Sequence, residues 1–214
     1  MADGGTSRRV VVTGMGAVTP IGYNVADLWE AMREGRCGVA PIERFYQNDP
    51  HFLTAKQIEN FDLGVRIAAQ IKAFDYRARF KHVKRDKLIL FADRYSLFAA
   101  AAAGEAIAQA RLAVPFADPH RAACIIGSAE AGIINLEIAY RHIFELKQPS
   151  THPLTLVRFI GSSAAAHVGI EYGIKGPTFA TCSSCASGAH AIGLGRDLIR
   201  NGAVDVAIVG AGES

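Results

Sequence analysis

Short apolar runs alternate along the chain with longer stretches in which apolar residues recur every three to four positions. The short runs have the length of buried strands, whereas the recurring pattern is typical of helices that pack one face against a sheet. Strands are therefore predicted at residues 9–14, 122–128 and 178–181, and in the apolar run just before residue 214.

Helices are predicted between these strands. Asn24 or Asp27 is a suitable N-cap for a first helix that ends near Gly35. The remaining helices are predicted at residues 88–112, 133–146 and 159–169, and from Ala186 onward. Because strands alternate with helices, the predicted fold class is α/β, with a mostly parallel sheet and helices on both faces.

Two stretches stand outside this alternation. Residues 1–7 are small and polar, and they predict a disordered lead without the apolar region of a signal peptide. Residues 36–80 show no clean period, and we expect them to form a cap-like excursion with short elements. The structured domain is therefore predicted at residues 8–214.

Composition narrows the class of protein. Of the 214 residues, 50% are hydrophobic and 20% are charged, which is typical of a globular domain. The formal charge of +3 is too small to indicate a nucleic-acid partner. No stretch approaches the roughly 20 apolar residues of a membrane span. Four irregularly spaced cysteines favour a reducing compartment over a disulfide framework, so a cytoplasmic location is expected.

The strand predicted at residues 178–181 leads into a turn of small residues and then into a helix. Ser183 and Ser184 are favoured turn and N-cap types, so Cys185 is expected in the turn or in the first helical turn. Backbone N–H groups and the helix dipole favour a thiolate at that place. A nucleophile on a strand-to-helix turn is also the arrangement of the hydrolase elbow motif, whose oxyanion hole uses the following amide. The pattern predicts a cysteine nucleophile.

Other interpretations of the same cysteine stay open. A cysteine among small residues is often buried and inert, which is an equally good account of the residue types alone. Cys182 and Cys185 also form a Cys-x-x-Cys pair at the start of a helix, as redox pairs do. A zinc site needs a second pair of ligands, whereas Cys37 and Cys124 stand alone, so no metal is expected.

Three motifs in order along the chain resemble the β-ketoacyl-[acyl carrier protein] synthases, the condensing enzymes of the thiolase superfamily. The motifs are residues 8–16 with 19–22, residues 172–177 leading into 184–188, and residues 205–213. The similarity is to the N-terminal half of the type II enzymes. It implies a thiolase-like α/β fold that is incomplete, the N-terminal half of a duplicated architecture. It also implies that Cys185 is the acyl-accepting cysteine and that Cys182 is not.

The resemblance implies a chemistry in fatty acid or polyketide-type synthesis. The cysteine takes an acyl group from a carrier protein as a thioester, and the enolate formed by decarboxylation of a malonyl-carrier attacks it. In the family, two histidines and a lysine of the C-terminal half assist, and these are expected beyond Ser214. This chain alone is therefore expected to be inactive.

The resemblance implies neither a cofactor nor a metal. The expected partners are acyl carrier protein and a second condensing-enzyme chain, in a homodimer or a heterodimer. Positive residues cluster before the helix predicted at residues 88–112, and a solvated helix start is the simple account of such a cluster. The family, however, receives its acidic carrier on a basic patch at this position, which favours docking. The candidate docking residues are Lys81, Lys84, Arg85 and Lys87.

Glu130 and Ser184 are candidates for the acyl pocket. Relatives usually carry an apolar residue that gates the acyl tunnel at the position of Glu130, and a carboxylate is costly to bury beside an alkyl chain. We expect an altered substrate preference, with a protonated or paired Glu130 as the alternative. His190 follows Cys185 by five residues, which on a helix directs the two side chains apart, so a structural role is expected for it.

Other classes of function stay open. In one, the chain is a non-catalytic partner subunit that binds carrier protein or shapes an acyl tunnel. In another, it is a thiolase-like acyltransferase that acts on coenzyme A thioesters. A redox protein built on Cys182 and Cys185 is a third.

Overall fold

The computed structural model describes residues 8–42, 65–72, 74–75 and 92–213. The strands are β1 (Val39–Pro41), β2 (Ile67–Ala69), β3 (Ala122–Gly127), β4 (Thr178–Phe179) and β5 (Val206–Ala211). The α-helices are α1 (Val25–Arg33), α2 (Arg94–Gln109), α3 (Ile133–Tyr140), α4 (Thr155–Phe159), α5 (Ser163–Tyr172) and α6 (Ser187–Arg200). A 3₁₀ turn covers Pro119–Arg121, and a π-helical turn covers Arg141–Glu145.

The central sheet has three parallel strands in the order β4–β3–β5. Cys124 pairs with Thr178 of β4 and with Ile208 of β5, so β3 is bonded on both edges. Every residue of β3 is buried, as the continuous apolar run of a strand covered on both faces requires. The prediction of a parallel sheet is confirmed.

Helices α2 and α5 cover one face of the sheet. Cys124 and Ile126 of β3 share a core cluster with Ala103 of α2 and Val168 of α5, because alternate residues of a strand point to the same face. Helices α2 and α5 are fastened to each other by Tyr172. Its hydroxyl donates to the Ala100 carbonyl oxygen at 2.8 Å.

Helix α6 covers the other face of the sheet with small residues. A Cβ added at Gly195 would lie 2.4 Å from Cγ1 of Val209, so the helix and strand approach closely only because a glycine stands there. The buried positions are Ser187, Ala191 and Gly195, whereas Ile192 and Leu194 are 54% and 43% exposed. Helices therefore cover both faces, as predicted, but Ile192 and Leu194 of α6 are exposed.

The strand predicted at residues 9–14 is wrong. This segment forms no strand and no described strand pairs with it, and Val11 and Val12 are 58% and 80% exposed. The segment instead runs along α2. Cβ atoms at Gly14 and Gly16 would lie 2.0 Å from the Ala106 oxygen and 1.8 Å from the Ala102 oxygen. The two glycines are needed for close contact between the segment and the helix backbone.

Polar side chains of α2 bind the backbone of the N-terminal segment. Glu105 accepts hydrogen bonds from the Ala17 and Val25 N–H groups at 3.0 and 2.8 Å. Val25 is the first residue of α1, so Glu105 caps one of the N–H groups that a helix start leaves without a partner. Asn24 caps the same helix through the Asp27 N–H. The predicted first helix and its cap are confirmed.

The other predicted helices are confirmed with shifted ends. Helix α2 begins at Arg94 because the Asp93 carboxylate accepts from the Tyr95 N–H at 3.3 Å as an N-cap, and residues 88–91 lie outside the described residues. The helix predicted at 133–146 changes to π geometry after Tyr140. The helix predicted at 159–169 is two helices, α4 and α5.

The described parts of residues 36–80 contain two short strands, β1 and β2, which pair antiparallel.

An exposed ion-pair cluster joins the N-terminal segment to the sheet: Asp205 binds Arg121 at 2.5 Å and Arg8 at 2.9 Å. The hydrogen bond from Arg121, and to a smaller extent the one from Arg8, lowers the pKa of Asp205 to about 2. Within the described residues, no helix is long and apolar enough to cross a membrane.

Candidate functional site

The turn between β4 and α6 carries Cys185. Its side chain is exposed, two residues before α6 begins at Ser187. Ser184 adopts a left-handed backbone with φ of 51°, which a non-glycine residue adopts only where its surroundings enforce it. The expected position of Cys185, on a tight strand-to-helix turn, is confirmed.

The expected N-cap of α6 and the expected role of the amide after Cys185 are wrong. The N-cap is Ala186, without a side-chain cap, so Ser183 and Ser184 are turn residues only. Their carbonyl oxygens accept from the Ala186 and Ser187 N–H groups at 3.1 Å each. The amide after the nucleophile is therefore bonded within the turn and is not free to form an oxyanion hole.

Hydroxyl groups hold the turn in this shape. Ser187 Oγ accepts from the Ser183 N–H at 2.9 Å and donates to the Ser184 oxygen at 2.7 Å. Thr181 Oγ1 donates to the Ser187 oxygen at 2.8 Å. A buried hydroxyl with both functions satisfied rigidifies its surroundings, so these contacts keep the strained Ser184 and the adjoining Cys185 in place.

His190 bonds to this turn rather than to the thiol. Its Nδ1 lies 2.6 Å from Ser183 Oγ. The contact joins the second turn of α6 to the segment before Cys185. The structural role expected for His190 is consistent with this contact.

The four cysteines are free thiols in different surroundings. Cys37, Cys182 and Cys185 are exposed, whereas Cys124 is buried in β3. Burial raises the pKa of the Cys124 thiol to about 12, so that thiol is inert near neutral pH. The interpretation of Cys185 as a buried packing residue is wrong, and it applies to Cys124 instead.

Cys182 faces a neighbouring loop. Its thiol donates to the Ala129 carbonyl oxygen at 3.9 Å. It also lines an open depression of about 430 Å³ together with Ser183, His190, Leu194 and Asp197. Cys185 is not among the residues that line this depression.

The loop that follows β3 is held by a residue that sequence analysis missed. The Glu213 carboxylate accepts from Ser128 Oγ at 2.9 Å and from the Ala129 and Glu130 N–H groups, the latter at 3.4 Å. The sequence feature that could have indicated this role is the position of Glu213 just beyond an apolar strand, since the carboxyl ends of parallel strands meet at one edge of a sheet.

Of the other predicted site residues, Glu130 is exposed on this loop and Ser184 precedes Cys185 in the turn. Lys81, Lys84, Arg85 and Lys87 lie outside the described residues. In the part of the chain that the structure describes, no three His, Cys, Asp or Glu side chains lie close enough to hold one metal ion.

Sequence comparison places the chain in a family. Residues 7–214 match the family described as Beta-ketoacyl synthase, N-terminal domain, so the chain belongs to that family. Nodulation protein E of Rhizobium leguminosarum bv. trifolii is 34% identical over 97% of this chain and 47% of that protein. The 3-oxoacyl-[acyl-carrier-protein] synthase 2 of Synechocystis sp. is 31% identical over 97% of this chain and 46% of that protein. The chain spans about half the length of these curated relatives.

Solved structures share the fold. The ishigamide ketosynthase/chain length factor superposes with a TM-score of 0.80 and 24% identity, over 98% of this chain and 48% of that one. A type II PKS acyl-carrier protein in complex with its ketosynthase, AntDE:AntF, gives a TM-score of 0.72 and 22% identity, over 98% and 52%. The thiolase-like fold expected from the sequence is confirmed.

Proposed function

We propose that this chain supplies the acyl-accepting cysteine of a β-ketoacyl-[acyl carrier protein] synthase in fatty acid or polyketide-type synthesis. The observation that supports this most is the placement of Cys185, exposed on a rigid turn between a parallel strand and α6. A thiol at that place is accessible to a thioester carried by another protein. The buried Cys124 is not.

The first half-reaction is a thioester exchange. The Cys185 thiolate attacks the carbonyl carbon of an acyl-carrier thioester, and a new carbon–sulfur bond forms to Cys185. The bond to the carrier sulfur breaks, and that sulfur leaves with the electron pair and takes up a proton. The attacking sulfur belongs to a residue that lies two positions before the first turn of α6, at the positive end of the helix dipole.

The second half-reaction needs histidines that the family carries in the C-terminal half of its fold. A malonyl-carrier loses carbon dioxide, and the carbon of the resulting enolate attacks the thioester and releases the Cys185 thiolate. The family uses two histidines to stabilise the developing charge, and we place them beyond residue 214. We do not assign His190 to this pair, because a separation of five residues on a helix directs its side chain away from Cys185.

Acyl carrier protein is the proposed donor. The AntDE:AntF structure is of a ketosynthase with its acyl-carrier protein, and this chain shares its fold. The basic cluster at Lys81, Lys84, Arg85 and Lys87 has the charge to steer an acidic carrier to the site. We also propose that the chain pairs with a second condensing-enzyme chain in a homodimer or heterodimer.

The acyl pocket is proposed to include Ser184 and Glu130. An exposed carboxylate in the loop after β3 tolerates a short or polar acyl group better than a long alkyl chain, because an ionised group is costly to bury beside one. We therefore propose a preference for shorter or more polar acyl groups.

The test is label transfer from acyl-carrier to the protein with two matched variants. Cys185→Ser is expected to abolish transfer, and Cys182→Ser, three residues away in the same turn, is expected to preserve it. Label that remains on the Cys185→Ser protein would contradict the proposal.

Further measurements separate the other classes of function. A partner subunit would still bind carrier protein after Cys185→Ala but would receive no acyl group. A thiolase relative would accept coenzyme A thioesters in preference to carrier-bound ones. A redox protein would show a two-electron titration that Cys182→Ser removes. The intact mass of the protein from its native source shows whether the native chain is longer than these 214 residues.

A further inference from the structure

The Glu213 carboxylate is surrounded by donors of a single loop. Both oxygens are used: Oε1 accepts from Ser128 Oγ and the Ala129 N–H, and Oε2 accepts from the Glu130 N–H. Hydrogen bonds to a charged group are about twice as strong as neutral ones. The carboxylate therefore holds three consecutive residues at once.

The register of the sheet brings Glu213 to this loop. The ladder between β3 and β5 ends with Gly127 opposite Ala211, and the Gly212 N–H then donates to the Gly127 oxygen at 3.0 Å. Two residues beyond the last pair, Glu213 stands beside Ala129. The placement of its side chain thus follows from the parallel pairing and does not depend on a flexible connection.

The loop contains a strained backbone conformation that its hydrogen bonds hold in place. Ser128 is 4% exposed, and its Oγ also accepts from the Ala131 N–H at 2.8 Å. Ala131 has a left-handed backbone with φ of 53°. A left-handed non-glycine residue persists only where neighbouring contacts fix it, and Ser128 with Glu213 supplies such contacts.

The loop also contacts the turn that carries Cys185. The Ser128 N–H donates to the Thr181 oxygen at 3.0 Å, and the Cys182 thiol donates to the Ala129 oxygen. A Cβ at Gly127 would lie 2.6 Å from the Ser187 backbone, so the end of β3 touches the start of α6. A displacement of this loop would therefore displace backbone that contacts the turn carrying Cys185.

We propose that Glu213 is a positioning residue that fixes residues 128–130 as a wall beside the Cys182–Cys185 turn. Where the proposed acyl transfer holds, this wall determines which acyl groups reach Cys185, because it carries Glu130. Glu213 itself touches no reacting atom in this account. It acts through the loop, and the loop position can be measured without any acyl donor.

The test uses Cys182 as a reporter of the loop, because its thiol contacts Ala129. Alkylation by iodoacetamide is followed at each cysteine by peptide mass spectrometry. In Glu213→Ala, the Cys182 rate is expected to rise about tenfold, as the loss of a hydrogen bond to a charged group predicts. Glu213→Gln keeps one oxygen acceptor and is expected to rescue part of the effect. Ser128→Ala is expected to raise the rate as well.

Controls lie in the same chain. Glu137→Gln removes an exposed carboxylate on α3 and is expected to leave the Cys182 rate unchanged. Cys37 should react at the same rate in all variants, and the buried Cys124 should stay protected in each variant that folds. If Cys124 becomes reactive in Glu213→Ala, that variant has not folded. The Cys182 rates of Glu213→Gln and Ser128→Ala then test the proposal.

An unchanged Cys182 rate in the folded variants would overturn the proposal, as would equal rates in Glu213→Ala and Glu213→Gln. In the acylating protein, Glu213→Ala should also alter the ratio of Cys185 acylation rates with short and long acyl-carriers, and Glu213→Gln should restore it. A wild-type protein that accepts no acyl group would contradict the proposed function, while the alkylation rates would still test the role of Glu213.

Discussion

Nδ1 of His190 lies 2.6 Å from the Ser183 hydroxyl, which joins the second turn of α6 to the turn that carries Cys185. The contact gives a structural role to a histidine that follows the candidate nucleophile by five residues. It holds the main chain that presents the thiol.

This contact predicts a measurable coupling between Ser183 and His190. Ser183→Ala and His190→Ala are each expected to lower the free energy of unfolding by about 1 kcal/mol, the net value of one hydrogen bond. The double variant should lose less than the sum of the two, since the same contact is removed twice. Urea unfolding measures all three, with the exposed His120→Ala as a neutral control. Additive losses would contradict the coupling.

The close packing of α6 on β5 predicts opposite effects at two glycines of one helix. A Cβ at Gly195 meets Val209 at 2.4 Å, so Gly195→Ala is expected to destabilise the protein by about 1–3 kcal/mol. A Cβ at Gly193 meets nothing within 4 Å, so Gly193→Ala is expected to stabilise the helix by up to about 1 kcal/mol. Thermal and urea unfolding distinguish the two, and destabilisation by both variants to the same extent would show that α6 packs differently.

The ion pairs of Asp205 predict an acid-sensitive contribution to stability. Arg121 and Arg8 lower the pKa of Asp205 from 3.8 to about 2 in the folded state. Because this pKa is depressed, the stabilisation is complete above pH 4 or so and is lost as the pH falls through about 2. The difference in unfolding free energy between wild type and Asp205→Asn should therefore shrink as acid is added. A difference that is constant with pH would contradict the ion-pair account.

The basic cluster predicts salt-dependent binding of carrier protein. Lys84→Glu combined with Arg85→Glu is expected to weaken the affinity for acyl carrier protein at low salt and to matter less at high salt, because salt screens exposed charges. Titration calorimetry at two salt concentrations measures both affinities. An unchanged affinity at low salt would remove these residues from the docking surface.

The sequence was informative where one face of an element had to be buried. Strand β3 is apolar throughout because helices cover it on both sides, and it was predicted within one residue. Cys185 was placed in its turn because a short strand, small residues and a helix follow one another closely there. In these places local pattern and tertiary packing agree.

The sequence was misleading where a distant contact decides the structure. The run from Arg9 to Gly14 has strand composition, but it lies along α2 because Gly14 and Gly16 touch the helix backbone. The apolar residues of α6 predicted a helix, yet its sheet-facing side is built from Ala191 and Gly195. The role of Glu213 depends on the register between β3 and β5, which no local pattern shows.

The most direct test of the central claim is to map the acyl group after the protein is incubated with acyl-carrier. Peptide mass spectrometry under conditions that preserve thioesters would identify the modified residue. We expect one thioester, on Cys185, with Cys182 and Cys124 unmodified. A thioester on Cys182, or none on Cys185, would contradict it.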